Sequence, residues 1–243
     1  MPYMLYIGNK RYSSWSMRPW VLLRALDIPF QERLQIFEPG MAQPQFAAFS
    51  PSSKVPCLHH VRSLDDGQNP VVVWDSLSIV EHLADVHAGV WPGVDRPAAR
   101  AFARSAAAEM HSGFAAIRDE CSMNVALRLE SGVAPGPALQ KDLDRLTALF
   151  VHGLATFGGP WLAGAEFTAA DAFYAPVASR VKTYGLRLGD GLAREYVDRL
   201  FDHPAVREWV EAGIRETARE PMHEEDCLRG RKLLRDLSAE ASQ

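Results

Sequence analysis

Ser13, Ser14 and Ser16 stand at the head of an apolar-periodic stretch, Met17 to Leu26, that has the pattern of a helix. A helix N-terminus offers unpaired backbone N–H groups and the positive end of the helix dipole. Such a site lowers the pKa of a nearby thiol from its ordinary ~8.5, and a hydroxyl that donates to the sulfur anion adds to the effect. Two units of lowering, at roughly 1.4 kcal/mol each, turn a thiol that is a few per cent ionised at neutral pH into one that is mostly thiolate. The serine in this chemistry is not the nucleophile. It stabilises the sulfur of a bound molecule. The plainer reading of the same residues is capping, with Ser14 or Ser16 as N-cap.

Two other short runs have the composition of docking points. In Lys54-Val55-Pro56 a proline follows valine at the start of a strand-like stretch. Such a bond is either a plain trans strand start or a cis bond in a tight turn. The cis form leaves the N–H and C=O of Val55 open to an extended peptide. In Asp75-Ser76, Ser76 as N-cap of the next helix presents a hydroxyl and free N–H groups to a carboxylate, and Asp75 offers a partner for an ammonium group. Plain capping explains that pair as well. Together the three runs describe a site for a small peptide with a thiol in the middle, an α-amino acid group at one end and a carboxylate at the other. Glutathione is such a molecule.

The elements that must hold these residues follow from periodicity. Tyr3 to Ile7 reads as a strand, Met17 to Leu26 as a helix with Pro19 near its start, and Phe30 to Phe37 as a second strand. Strand, helix, strand favours a parallel pair with a crossover helix. A loop and short helical piece span Glu38 to Phe49. A strand starts near Pro56, and the turn Asp65-Asp66-Gly67 joins it to Val71–Trp74 as an antiparallel hairpin. Asp75-Ser76 then opens a helix to about His87. Val86 to Pro97, with Gly89, Pro92 and Gly93, is the best linker. Everything after it reads as helical: Ala98 to Asp119, Pro137 to Phe157 with a leucine stripe, the nearly all-apolar Ala169 to Thr183, and Ala205 to Ala218. The charged tail after Pro221 is expected to extend over the surface or fray.

Bulk properties exclude several classes. A chain of 243 residues with 47% hydrophobic and 23% charged residues is ordinary for a globular protein. A formal net charge of -4 argues against nucleic acid or an anionic membrane as partner. Cys57, Cys121 and Cys227 are far apart and odd in number, so they form neither a disulfide framework nor a metal cluster. No signal peptide or bilayer-length apolar run is visible, which points to the cytoplasm.

The order strand, S-S-x-x-x-R at a helix start, K-V-P, then D-S-x-x-I-x-x-H-L-A-D is similar to cytosolic glutathione transferases of the serine type. Ser13-Ser14-Trp15-Ser16-Met17-Arg18 looks most like the zeta class, where the run is S-S-C-x-x-R. Phe167-Thr168-Ala169-Ala170-Asp171 has the form of that family's Thr-x-x-Asp capping box. The resemblance covers most of the chain. It implies an α/β thioredoxin-like domain over residues 1–87, an all-α helical-bundle domain over 98–225 and a tail over 226–243. It also implies glutathione as co-substrate, no metal, and a homodimer. Ser14 then stabilises the thiolate, with Ser13 as rival. Lys54 and backbone Val55 contact the glycyl and cysteinyl parts, Pro56 is cis, and Asp75 and Ser76 hold the γ-glutamyl end. The implied activity is conjugation of glutathione to a small hydrophobic electrophile, in detoxification. A maleylacetoacetate isomerase-like cis-trans isomerase and a non-catalytic binding module are the alternatives. Trp15 stands where zeta enzymes have cysteine, which argues against the isomerase. The lack of a cysteine near Ser14 disfavours thiol exchange of the omega type.

In this family the helix after the linker lines the electrophile pocket. On it Met110 and Phe114 are four apart and share a face, with His111 beside them and Arg118 a turn further, placed to polarise an electrophile. Core packing and a solvated charge compete with that reading. His59 and His60 alternate along a strand and cannot chelate together. Trp20, Trp74 and Cys57 read as core.

Overall fold

The computed structural model describes residues 2–40, 42–61, 69–131, 134–189 and 191–240. The expected turn at Asp65-Asp66-Gly67 lies outside them. β1 (Tyr3–Ile7) is followed by α1 (Ser14–Ala25) and β2 (Phe30–Leu34), and β1 and β2 pair in parallel with Tyr3 opposite Phe30. β2 ends before the expected Phe37, because its partner β1 ends at Ile7, opposite Leu34. A 3-10 turn over Pro44–Ala48 leads to β3 (Cys57–His60), antiparallel to β1, and β4 (Val71–Trp74), antiparallel to β3. The sheet order is β2-β1-β3-β4. α2 (Ser76–Ala84) closes this thioredoxin-like half.

The remaining chain is mainly helical. α3 (Pro97–Ser112) and α4 (Ala115–Glu120) replace the single expected helix from Ala98 to Asp119. The break is at Gly113-Phe114. Phe114 has φ 56°, in the left-handed region that ends a helix, and its ring is buried edge-on against Tyr174. Then come β5 (Leu127–Ser131), α5 (Pro137–Phe157), α6 (Ala169–Tyr184), α7 (Leu192–Asp202), α8 (Pro204–Arg215), α9 (Pro221–Leu228), β6 (Arg231–Asp236) and α10 (Leu237–Glu240).

The second half is therefore not purely helical. β5 and β6 form an antiparallel ribbon, Leu127 opposite Asp236 and Glu130 opposite Lys232. The period-two signal was present in β5: Leu127 and Leu129 are buried, whereas Arg128 is partly exposed and Glu130 exposed. Nor does the charged tail fray. Its β6 pairs with β5, Cys227 is fully buried, and Arg219 Nη2 donates to Asp236 Oδ2 at 2.5 Å and to Ser238 Oγ at 2.6 Å.

α6 is the buried axis of this half, as its apolar composition requires. Thr168 and Asp171 make a reciprocal capping box at its start. Asp171 Oδ2 accepts from Thr168 N–H at 2.9 Å, and Oδ1 accepts from Leu162 N–H and the Tyr196 hydroxyl, both at 3.0 Å. Burial pushes this carboxyl up to about 6 despite those donors. α1 packs on α6 and α8, so the helix that starts at Ser14 is clamped between the sheet and the helical half.

Candidate functional site

A cleft of about 1100 Å³ opens between the two halves. Ser13, Ser14, Lys54, Val55, Pro56, Asp75, Ser76 and Arg118 all line it. The expected docking runs therefore share one cavity.

Its floor is the start of α1. The helix begins at Ser14, so Ser13, and not Ser14 or Ser16, occupies the N-cap position, with no capping bond from its side chain. Ser13 is buried and donates to Ser16 Oγ at 2.7 Å, and Ser16 Oγ in turn accepts from Gly8 N–H at 3.2 Å. Ser14 is partly exposed, and its hydroxyl has no hydrogen-bond partner among the described residues.

The loop leading into Ser13 is held from the far end of the chain. Glu216 Oε1 accepts from Lys10 N–H at 2.7 Å and Oε2 from Arg11 N–H at 3.1 Å. The fully buried Arg11 guanidinium donates to the carbonyls of Glu216 at 2.5 Å and Ile214 at 3.3 Å.

The Val55-Pro56 peptide is cis, and Val55 makes no backbone hydrogen bond among the described residues. At the head of α2, Asp75 rather than Ser76 is the N-cap: its Oδ1 accepts from Leu77 N–H at 2.8 Å. Asp75 has φ 74°, a left-handed conformation that costs a non-glycine residue free energy and is common where a ligand is gripped. Its Oδ2 lies 3.6 Å from His111 Nε2. Ser76 is the first helical residue, fully buried, and accepts from Arg18 Nη1 at 3.3 Å.

The wall from the helical half differs from expectation. Met110 and Phe114 are buried in the core and do not line the cleft, because the break at Gly113 destroys their shared helix face. His111 sits behind Asp75, edge-on to Trp15 at 5.3 Å, and burial lowers its pKa. Arg118 does reach the cleft. Its guanidinium is 4.9 Å from the Trp15 ring, which Arg18 also approaches, at 4.1 Å, and it donates to His111 O at 3.0 Å. Burial, with Arg118 and Arg180 nearby, pushes Arg18 down to about 9, still charged at neutral pH.

Sequence reasoning missed several lining residues: Tyr12, Phe37, Arg180, Glu220, Met222 and His223. Trp74 also lines the cleft and is 47% exposed, not core; Trp20 is fully buried. The α9 residues arrive from a tail read as surface. Their one signal was Glu220-Pro221, an acidic cap followed by proline at a first helical position. The His223 ring stacks on Tyr12 at 4.9 Å and on Phe37 at 5.5 Å. Glu220 Oε2 lies 2.6 Å from His223 Nδ1 and accepts from His223 N–H at 2.8 Å. Burial opposes ionisation of Glu220, but these bonds outweigh it and hold the carboxyl below its ordinary range. All three cysteines are buried, and burial pushes each thiol up to about 11, so none is a ready nucleophile.

Residues 12–86 match the family description "Glutathione S-transferase, N-terminal domain" and residues 97–212 match "Glutathione S-transferase, C-terminal domain". The chain belongs to the glutathione S-transferase superfamily. Among solved structures it is similar to a glutathione transferase homologue from Burkholderia GL BGR1 with bound glutathione, at 23% identity over 89% of this chain and 100% of that one, TM-score 0.63. A glutathione S-transferase from Rhodospirillum rubrum F11 is 21% identical over 93% of this chain and 98% of that one, TM-score 0.61. Glutathione transferase Omega 3C from Trametes versicolor is 18% identical over 100% of this chain and 93% of that one, TM-score 0.61. No curated protein sequence matches. Among the described residues no helix is long and apolar enough to cross a membrane, and no group of three or more His, Cys, Asp or Glu side chains is placed to hold a metal ion.

Proposed function

We propose that the cleft binds glutathione, and that the protein transfers its thiolate to a small electrophile. The observation that carries this reading is Ser14: a hydroxyl without a partner among the described residues, at the first position of α1, in the same cavity as the open Val55 backbone and the Asp75-Ser76 helix start. A thiol held there meets free N–H groups, the positive end of α1 and one hydroxyl donor. Ser13 is the weaker candidate, because its proton is already given to Ser16. Asp75 Oδ2, which also faces His111 Nε2 at 3.6 Å, takes the γ-glutamyl ammonium, and Val55 pairs in strand fashion with the cysteinyl backbone. Lys54 takes the glycyl carboxylate. The reaction forms a sulfur–carbon bond by attack of the bound thiolate, and the displaced group leaves as an anion.

Arg118 and Arg180 line the opposite wall with Met123, which supports a half-polar pocket for the electrophile rather than the Met110–Phe114 wall. The test is thermal unfolding with and without glutathione, together with conjugation of a chlorinated dinitrobenzene. Ligand at 100 times Kd adds about 2.7 kcal/mol to stability, a rise of several degrees in Tm. No rise and no conjugation would leave a glutathione-fold module without the activity.

A further inference from the structure

We infer that His223 and Glu220, brought to the cleft by the start of α9, form a general-base dyad, in which His223 takes the proton of the bound thiol and Glu220 positions its ring. The inference rests on the glutathione reading above and adds the group that ionises the thiol.

The tautomer follows from the partner. An ionised carboxylate only accepts, so at 2.6 Å the Glu220 Oε2 fixes the proton on His223 Nδ1. That leaves Nε2 as the basic nitrogen of a ring that lines the cleft. Stacking against Tyr12 and Phe37 fixes the ring plane, and Tyr12 lies two residues from Ser14 in the chain. This is base-plus-orienter logic: a base lining the same cavity as Ser14, turned by a buried carboxylate. Glu220 is 3% exposed and lines the cleft, yet its Oε1 has no partner among the described residues. A buried carboxylate oxygen without a donor is costly. A donor in the cleft, from the ligand or a water it orders, satisfies it.

The remaining charges near the ring are committed elsewhere. The Tyr12 hydroxyl donates to Glu224 Oε1 at 2.5 Å, and Glu224 also faces Arg219 at 3.4 Å and Arg11 at 3.9 Å. Asp226 lines the cleft further along α9 and pairs with Arg229 at 2.5 Å. Phe37 brings no charge.

In the step, the S–H bond breaks, its proton bonds to Nε2, and the electron pair stays on sulfur. The thiolate is then held by Ser14 and the start of α1, and the imidazolium by Glu220. After attack on the electrophile the proton leaves with the displaced anion, so nothing is oxidised or reduced.

The experiment is the pH profile of kcat/KM for glutathione and a chlorinated dinitrobenzene, in the wild type, His223→Gln and Glu220→Gln, with glutathione Kd from calorimetry. His223→Gln is expected to lose about 10²-fold near pH 6.5, with a deficit that shrinks as pH rises toward the free thiol's own range, and Kd within about threefold. Glu220→Gln is expected to show the same shape with a smaller loss. A second measurement needs no variant: NMR titration of the His223 ring in the wild type. Glutathione should raise the ring pKa, by ion pairing with the thiolate, and S-methylglutathione should not. Profiles that superimpose, or equal ring shifts with both ligands, overturn the dyad while the glutathione reading stands. A wild type that fails to bind glutathione overturns both.

Discussion

Arg18 Nη1 donates to Ser76 Oγ across 3.3 Å, which ties the second turn of α1 to the first of α2 at the base of the cleft. The guanidinium is buried between the Trp15 ring at 4.1 Å and the Phe173 ring at 4.9 Å, and no carboxylate pairs with it within 4.0 Å among the described residues. A buried charge without an ion pair contributes little net stability, whereas its field at the Ser76 helix start favours an anion.

Arg18→Met keeps the volume between the two rings and removes the charge. The expected outcome is a Tm near that of the wild type and glutathione binding weakened about tenfold, roughly 1.4 kcal/mol. Calorimetry beside a melting curve checks it. A large loss of Tm with unchanged affinity would make Arg18 purely structural.

Asp171 anchors α6 to the Leu162 and Thr168 backbone and to Tyr196. Asp171→Asn sets an NH2 group against those donors, and the expected loss is about 2–4 kcal/mol. The wild-type carboxyl also has a pH signature. Its folded pKa of about 6 lies above the unfolded value, so the folded state holds the proton more tightly. The contribution is therefore full below about pH 4, declines as pH rises to about 6, and is constant above. The Tm gap between wild type and Asp171→Asn should narrow across that window. A gap that widens with rising pH would reverse the assignment.

Gly213 on α8 has no room for a side chain. A Cβ there would stand 2.7 Å from Val125 Cγ2 and 3.0 Å from the backbone N of Arg11. Gly213→Ala must push α8 or the loop before Ser13, at a typical overpacking cost of 1–3 kcal/mol, about 2 here. Because Glu216 carries the same loop, kcat/KM for conjugation should fall together with Tm. Unchanged conjugation in a destabilised variant would show that the loop is not coupled to the site.

Much of the first half was legible because its signals are local. The strand-helix-strand order, the hairpin residues and the three runs that line the cleft all lie on short stretches whose period or caps declare them. Asp75 replaced Ser76 as cap because the two are adjacent and both favoured there. The Phe114 error had one cause: Gly113 inside a helical pattern, read through rather than as a stop. The far end of the chain was the least readable. Arg11 meets Glu216, and Tyr12 meets Glu220 and His223, across some two hundred residues of sequence, and no periodicity announces a contact of that kind. Charged side chains in a tail read as solvated until their partners are seen. The β6 strand, mostly exposed, lacks the alternation that marks β5.

The central claim is that Ser14 holds a thiolate, and ultraviolet difference absorbance of bound glutathione tests it most directly. Wild type, Ser13→Ala and Ser14→Ala are each saturated with glutathione and compared near neutral pH. The expected result is a thiolate band in the wild type, most of it kept in Ser13→Ala and most of it lost in Ser14→Ala, with Kd in the last within about threefold of wild type. An undiminished band in Ser14→Ala would contradict the assignment.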